Sequence, residues 1–308
     1  MRKTCLETVY ELAKKNKKIV FIGSDLGPGV LDNFKKKYPK RFMMEGVAEQ
    51  AVLGMAAGLA MQKFRPYVNT IATFITRRAF EQVVIDLCLH NLPVTLIGNG
   101  GGMVYAPLGP THQAIEDISI MRTLPNLTIL VPCDANDMKN LVLQTTKING
   151  PVYIRIARGG EQVVTSGKKS KIGKGLILKK QTKYNFITTG VTAQIALDAA
   201  NKLKKNYNID VGVIHFSTIK PLDKKLLKDL ILKSKKIITV EENVVDGGFG
   251  SSILEFSSNL KHSKNNIQLV SLKSEFSKKY GTQQEILQYN NLKDEYLYKK
   301  MYKSIIND

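Results

Sequence analysis

The chain has 308 residues, of which 43% are hydrophobic and 23% are charged. These values are ordinary for a globular protein and exclude a fibrous or largely disordered chain, and the length suggests about two domains. The formal net charge is +20, but only eight of the 46 basic residues are arginines. Because nucleic-acid surfaces tend to concentrate arginine and exposed aromatics, this lysine-rich pattern favours a solvated coat over a nucleic-acid site.

The N-terminal segment MRKTCLETVYELAKKNKK carries a charge every few residues, so it lacks the apolar stretch of a signal peptide. No segment approaches about 20 uninterrupted apolar residues, which predicts no membrane span. Cys5, Cys88 and Cys133 are too few and too scattered for a disulfide framework or a metal cluster. We therefore expect a cytoplasmic protein with no membrane or nucleic-acid partner, in which the cysteines are packing residues.

Short apolar runs rich in β-branched residues alternate with helical patterns along the chain. They predict strands at 19–23, 93–98, 127–132, 152–157, 185–190, 210–216, 236–242 and 266–272. This alternation is typical of parallel α/β domains. Residues 160–183 are polar, glycine-containing and lysine-rich, as linkers often are. We expect a first domain over 1–165, a linker over 166–184 and a smaller α/β domain over 185–308.

A strand-like segment, RFMMEG at 41–46, leads into a helical pattern dense in alanine and glycine, VAEQAVLGMAAGLAMQK at 47–63. Glycine lowers helix stability, so we expect another helix to approach this one closely and compensate. Glu49 stands at the helix start. A carboxylate there is favoured by the helix dipole, which is its simplest explanation.

Four segments of the first half, taken with their spacing, resemble the transketolase family. They are GSDLGPG at 23–29, EGVAEQ at 45–50, ATFITRRAFEQV at 72–83 and GPTHQAIEDISIMRTLPNLTILVP at 109–132. In the second half, TTGVTAQIALDAA, FSTIKPLD and TVEENVVDGGFGSS resemble the C-terminal domain of that family. The resemblance implies a doubly wound α/β pyrimidine-binding domain of the thiamine-diphosphate type, followed by a smaller α/β transketolase C-terminal domain.

The family's diphosphate-binding domain, with a Gly-Asp-Gly segment and a downstream asparagine that bind the metal, has no counterpart here. DGGFG at 246–250 lacks the distal asparagine that such a metal loop needs. The resemblance therefore implies one subunit of a split transketolase, which transfers a two-carbon ketol unit between a ketose and an aldose or their phosphates. Thiamine diphosphate is expected between subunits of an α2β2 assembly. A separate N-terminal subunit is expected to hold the diphosphate and Mg²⁺ or Ca²⁺, and this chain to be inactive alone.

By this resemblance, Glu49 is the carboxylate that contacts N1′ of the cofactor's aminopyrimidine. Sharing a proton there makes the exocyclic nitrogen a base, while the cofactor carries the carbanion chemistry. His112, in the turn GPTH, matches the histidine that exchanges protons with substrate oxygens. A lone histidine is otherwise usually structural. Both residues are expected to be catalytic, and His112 also to bind substrate.

Phe74 and Phe80 match aromatic positions around the pyrimidine, although either could be an ordinary core residue. Asp25 matches an acid after the first strand, at the edge where open sheets bind ligands, or it simply forms a turn. We expect all three to bind the cofactor. Arg158, in YIRIARGG, matches an arginine that grips the substrate phosphate, and a surface salt bridge is the alternative.

Two positions depart from the family pattern. Arg77 stands where a further aromatic residue is usual, and Leu108 where an aspartate usually contacts a donor hydroxyl. An apolar side chain cannot accept that hydrogen bond, so a donor other than the usual ketoses is expected. The alternatives are a 1-deoxyxylulose-5-phosphate synthase, the β subunit of a 2-oxo-acid dehydrogenase and, from a different class, a non-catalytic partner module or a basic nucleic-acid binder. The segments ATFITRRAFEQ and GPTHQAIED favour transketolase over the first two.

Overall fold

The computed structural model describes residues 1–23, 29–261 and 266–307. The strands are β1 Ile19–Gly23, β2 Phe42–Met44, β3 Arg65–Ile71, β4 Thr95–Asn99, β5 Thr128–Leu130, β6 Val152–Ile156, β7 Leu176–Lys179, β8 Tyr184–Thr188, β9 Gly212–His215, β10 Thr218–Lys220, β11 Lys236–Val244 and β12 Ile267–Leu272. The helices are α1 Arg2–Lys15, α2 Asp32–Lys37, α3 Glu49–Met61, α4 Phe80–Gln82, α5 Asp117–Met121, α6 Ala135–Thr145, α7 Thr192–Tyr207, α8 Lys224–Lys233, α9 Phe249–Ser258, α10 Gln283–Tyr289 and α11 Asp294–Ile306. Two π-helical turns, Phe74–Arg78 and Val83–Leu89, flank α4.

The first sheet has seven strands in the order β10-β5-β6-β4-β3-β1-β2. Every pair is parallel except β10 with β5. All residues of β1, β4 and β6 are buried, which explains why these strands read as continuous apolar runs. The chain first adds β2 on one side of β1 and then returns to add β3 on the other side. This reversal makes a topological switch point beside β1.

The second sheet has five strands in the order β12-β11-β8-β9-β7, and only β7 is antiparallel to its neighbour. A separate apolar core lies between this sheet and α7, α10 and α11. The eight strands that the sequence predicts are all present. The range predicted as a linker, 166–184, contains β7, and the start of β8 falls at its end. The exact boundary between the domains therefore stays a prediction.

Helix α3 presents an uncovered face. A methyl group added at Gly58 would meet no atom within 4 Å, and one at Gly54 would meet only the Asp86 carboxylate at 4.0 Å. Val47, just before the helix, is 72% exposed and Met61 at its end is 52% exposed. In the described part of the chain the helical segment Val83–Leu89 packs against α3, but no helix covers this glycine face.

The three cysteines are buried and unpaired, in agreement with the packing role expected for them. Among the helices of the described ranges, none combines the length and the apolar character that crossing a membrane requires.

Candidate active site

Four of the predicted site residues lie at one edge of the first sheet. Because the strands that precede them are parallel, their carboxyl ends share that edge. Glu49 follows β2, Phe74 follows β3, His112 lies on the connection after β4, and Arg158 follows β6. Open α/β sheets bind ligands at this edge, beside the switch point. Asp25, predicted to join them after β1, lies outside the described residues.

Glu49 is buried although it carries a carboxylate, since only 4% of it is exposed. The Thr70 hydroxyl donates to its Oε1 at 3.4 Å, and Arg78 Nη1 donates to its Oε2 at 2.8 Å. Thr70 belongs to β3 and Arg78 to the first π-helical turn. The carboxylate therefore starts α3 and also faces the ligand-binding edge of the sheet.

Phe74 connects this carboxylate to the histidine. The guanidinium carbon of Arg78 lies 4.4 Å from the centre of the Phe74 ring, while the same guanidinium is bonded to Glu49. Phe74 also meets the His112 ring edge-on, with 5.3 Å between the ring centres. The ring of Tyr105 lies 6.5 Å from that of His112. Glu49, Phe74 and His112 thus form one continuous site, with Arg78 inside it.

Hydrogen bonds within the turn that carries His112 fix its conformation. The amide of His112 donates to the Gly109 carbonyl at 3.0 Å, and the Thr111 hydroxyl lies 2.9 Å from Nδ1 of the imidazole. Gly109 has a φ of +79°, which glycine adopts without the steric cost that a side chain brings. Leu108, just before it, is 56% exposed. The half-buried imidazole is therefore held in a defined orientation beside Phe74.

Arg77 binds the same turn with its side chain. Its guanidinium donates to the carbonyl oxygens of Pro110 at 3.0 Å and Gln113 at 2.8 Å, and it forms an ion pair with Glu116. These bonds commit the side chain to the His112 turn. Arg77, which stands where the family usually has an aromatic residue, therefore positions the His112 turn. Sequence reasoning missed this role.

Two predicted residues are not joined to this cluster by the contacts found. Phe80 is half-buried and packs against the larger hydrophobic core, which is its alternative explanation. Arg158 is exposed beyond the end of β6, at the same sheet edge. The cofactor and phosphate roles of these two residues stay predictions.

The second domain holds the loop that leads to His112. Glu242 Oε1 accepts hydrogen bonds from the Met103 amide and from the Gln283 side chain, each at 2.8 Å. Gly102 has a φ of +67°, and a methyl group there would lie 2.4 Å from the Glu242 carboxyl carbon. Burial raises the pKa of Glu242, and the nearby Arg155 charge opposes this rise. The glycine run NGGGM at 99–103 is the sequence feature that permits this close approach.

Arg155 lies at the centre of a buried network under that loop. Its Nε is 3.4 Å from the Asp117 carboxylate, and its Nη2 donates to the carbonyl oxygens of Ala114 at 3.0 Å and Glu242 at 2.6 Å. The Tyr153 hydroxyl donates to Asp117 at 2.7 Å. Burial raises the pKa of Asp117 while Arg155 lowers it. This network ties the first sheet to the second domain.

One group in the described ranges has the residue types of a metal site. The potential ligand atoms of Cys133, Asp137 and His215 lie within 4.8 Å of one another, and all three residues are buried. However, the Asp137 carboxylate is already engaged by His215 Nε2 at 3.3 Å, by the Ser217 hydroxyl at 2.8 Å and by the Cys133 amide at 3.0 Å. Because Asp137 lies on α6 and Ser217 follows β9, the Ser217 hydrogen bond makes this group a contact between the domains.

Comparison with known proteins decides the family. The model of the transketolase pyrimidine-binding domain matches residues 1–161, and that of the transketolase C-terminal domain matches residues 173–294. A split-gene transketolase, solved as an inactive β4 tetramer, superposes with a TM-score of 0.89 at 31% identity, over 99% of this chain and 98% of that chain. The chain belongs to the transketolase family.

Other transketolase-family proteins resemble the chain over part of their own length. The 1-deoxy-D-xylulose-5-phosphate synthase of Clostridium perfringens is 37% identical over 86% of this chain and 43% of that protein. The synthase of a Geobacillus species is 40% identical over 82% of this chain and 40% of that protein. A Pichia stipitis transketolase shares the fold, with a TM-score of 0.81 and 20% identity, over 99% of this chain and 45% of that one. The chain thus spans less than half of these relatives.

Proposed function

We propose that this chain is the pyrimidine-binding and C-terminal subunit of a split transketolase-type enzyme. Its reaction is transfer of a two-carbon ketol unit between a ketose and an aldose or their phosphates. The observation that carries this proposal is the surroundings of Glu49, which is 4% exposed. The planar guanidinium of Arg78 is bonded to the Glu49 carboxylate and stacks on the Phe74 ring. A flat, positively polarised ring that donates hydrogen bonds fits the same place. The aminopyrimidine of thiamine diphosphate is such a ring.

Each residue of the site has a defined task in this proposal. Thiamine diphosphate, when bound, supplies the carbon at which the carbanion chemistry takes place. Glu49 holds N1′ of the pyrimidine and the proton they share, and Phe74 stacks on the ring and excludes water. By the family resemblance, Phe80 and Asp25 are also proposed to bind the cofactor.

His112 and Arg158 act on the substrate. The clamped turn holds the imidazole of His112 beside Phe74, where it can take a proton from a substrate hydroxyl and return it to an oxygen. Arg158 is exposed at the same sheet edge, where its planar fork can bind a phosphate through two hydrogen bonds. The exposed, apolar Leu108 favours a donor that lacks the usual hydroxyl contact.

A separate subunit completes the proposed enzyme. Neither matching family model is a diphosphate-binding domain, and the similar split-gene transketolase is described as inactive in its β4 form. We propose that the partner holds the diphosphate and Mg²⁺ or Ca²⁺ in an α2β2 assembly. The uncovered face of α3 supports a protein contact there.

A second candidate is a 1-deoxyxylulose-5-phosphate synthase activity. The 37–40% identity to curated synthases favours it. The two reactions differ in their products, since the synthase consumes pyruvate and releases carbon dioxide. Incubating the assembled enzyme with pyruvate or with ketose donors, each with glyceraldehyde phosphate, and measuring carbon dioxide and sugar products separates them.

The first test is calorimetric binding of thiamine diphosphate with Mg²⁺, to this chain alone and then mixed with a candidate diphosphate-binding subunit. Tight binding in the mixture only is expected. Tight, metal-dependent binding by this chain alone would contradict the split-enzyme proposal, and no binding in either case would favour a non-catalytic module.

Glu49→Gln tests the chemistry in the same mixture. We expect it to lower turnover by at least about 100-fold, because the amide cannot share the N1′ proton. Glu45→Gln, at an exposed position of the same segment, is the matched control and is expected to keep its activity. Full turnover of the Glu49 variant would contradict the assignment.

A further inference from the structure

Arg78 lies where the proposed cofactor ring has to bind. Its guanidinium is the planar group between the Glu49 carboxylate, at 2.8 Å, and the Phe74 ring, at 4.4 Å. Those two side chains are the pyrimidine contacts of the proposed function. Arg78 and an aminopyrimidine on Phe74 therefore cannot occupy the site together.

The guanidinium reproduces the interactions that such a ring would make. Both groups are flat, both place nitrogen-bound hydrogens in their own plane, and both stack on an aromatic face. Each can therefore donate in-plane hydrogen bonds to a carboxylate while it lies on Phe74. The two groups satisfy the same two partners in the same way.

The exposure of the two charged partners shows which one can leave. The Arg78 side chain is 43% exposed, whereas that of Glu49 is 4% exposed. A buried carboxylate without a partner is costly, so Glu49 needs a cation when no other group is present. Arg78 can reach water by rotating its own side chain. The neighbouring Arg77 cannot substitute for it, because its guanidinium is bonded to the His112 turn.

We propose that Arg78 occupies the aminopyrimidine position in the cofactor-free chain and that cofactor binding displaces it from Glu49 and Phe74. This inference rests on the proposed function and adds a competing group to it. Arg78 neutralises the buried carboxylate before assembly, and its displacement lowers the apparent affinity for the cofactor. After displacement, the 43%-exposed Arg78 side chain is solvated by water.

The test compares thiamine diphosphate binding to the assembled complex of wild type, Arg78→Ala and Arg78→Gln, by calorimetry at fixed Mg²⁺. Arg78→Ala is expected to lower Kd roughly 5- to 30-fold, as removal of a partly exposed ion pair and a cation–π contact allows. Arg78→Gln keeps a flat donor without the charge, so an intermediate Kd is expected. Lys40→Ala removes a positive charge from an exposed position and is expected to leave Kd unchanged.

The outcomes separate this inference from the proposed function. If wild type binds the cofactor and Arg78→Ala binds it equally well or more weakly, the inference alone is overturned. Absence of binding by wild type and by both variants would overturn the proposed function and the inference with it. If Arg78→Ala destabilises the fold, Arg78→Gln is the test, and its Kd is expected to be lower than that of wild type.

Discussion

Glu241 is a buried carboxylate with a structural task outside the active site. Its oxygens accept from the amides of Phe249 at 2.6 Å and Gly250 at 2.7 Å, at the start of α9. Burial raises its pKa from 4.5 to about 7, although the two amides and the charges of Arg155 and Arg122 oppose the rise. The folded chain therefore binds this proton more tightly than the unfolded chain does. Stability falls as pH rises from about 4.5 to about 7.

Glu241→Gln should remove this pH dependence because the amide does not titrate. Between pH 5 and pH 8, we expect wild type to lose on the order of 2 kcal/mol more unfolding free energy than the variant does. Urea unfolding of both proteins at the two pH values measures the difference. Parallel losses would show that Glu241 is ionised throughout this range.

The adjacent arginines Arg77 and Arg78 show the limit of reading single positions from sequence. The pattern around Glu49, Phe74 and His112 predicts which side chains meet at the sheet edge, and the structure brings those three together. It does not predict that one arginine clamps a turn and the next covers a carboxylate. That division depends on the π-helical turn, which points neighbouring side chains toward different parts of the site.

At the scale of elements, the outward glycines of α3 give a test of the proposed subunit contact. Gly58 faces open space within the helix, so Gly58→Ala is expected to stabilise the isolated chain by about 0.5–1 kcal/mol. The added methyl group should also weaken assembly if this face packs tightly against another subunit. Thermal unfolding of the chain alone and sedimentation of the mixture measure the two effects. A stabilised variant that assembles like wild type would place the contact elsewhere.

The strands differ in how far their sequences reveal them. Runs such as Ile19–Gly23 are buried on both faces and read directly as central strands. β3, although equally central, has the sequence RPYVNTI and was missed. Its Asn69 accepts a hydrogen bond from Asn99 of β4 at 2.7 Å, and its Thr70 donates to Glu49. Polar residues that build the site break the apolar pattern on which strand prediction depends.

At the scale of the whole molecule, Asp137 and His215 join the two domains. Burial pushes the pKa of Asp137 up, but the nearby His215 imidazole and the hydrogen bond from the Cys133 amide outweigh burial and leave the pKa lowered. Asp137 therefore stabilises the fold above its unfolded pKa near 3.8, and this contribution is lost as pH falls through its folded pKa.

His215→Ala would remove the imidazole that lies 3.3 Å from the buried Asp137 carboxylate. We expect a loss of about 2–4 kcal/mol of unfolding free energy at neutral pH and a smaller further loss on acidification than in wild type. Urea unfolding with a probe in each domain checks both. The exposed His90→Ala is the control and should unfold like wild type. Unchanged stability of the His215 variant would show that the contact between His215 and Asp137 does not stabilise the fold.

Contacts between the domains were beyond sequence reasoning for a physical reason. Residues such as Arg155 and Glu242 lie far apart along the chain, and their pairing depends on how two finished sheets meet. The family resemblance predicted both domains and their order. It did not predict that the second domain would anchor the loop that carries His112 through Glu242 and Met103.

The antiparallel strand β10 restricts where this polypeptide can be cut. It comes from beyond the predicted linker and covers β5 at the end of the first sheet. A fragment that stops at residue 165 would leave the backbone groups of β5 open to pairing with any other exposed strand, including that of a second fragment. Such a fragment should aggregate or exchange strands. A gene break between the two domains therefore separates this sheet from its own last strand.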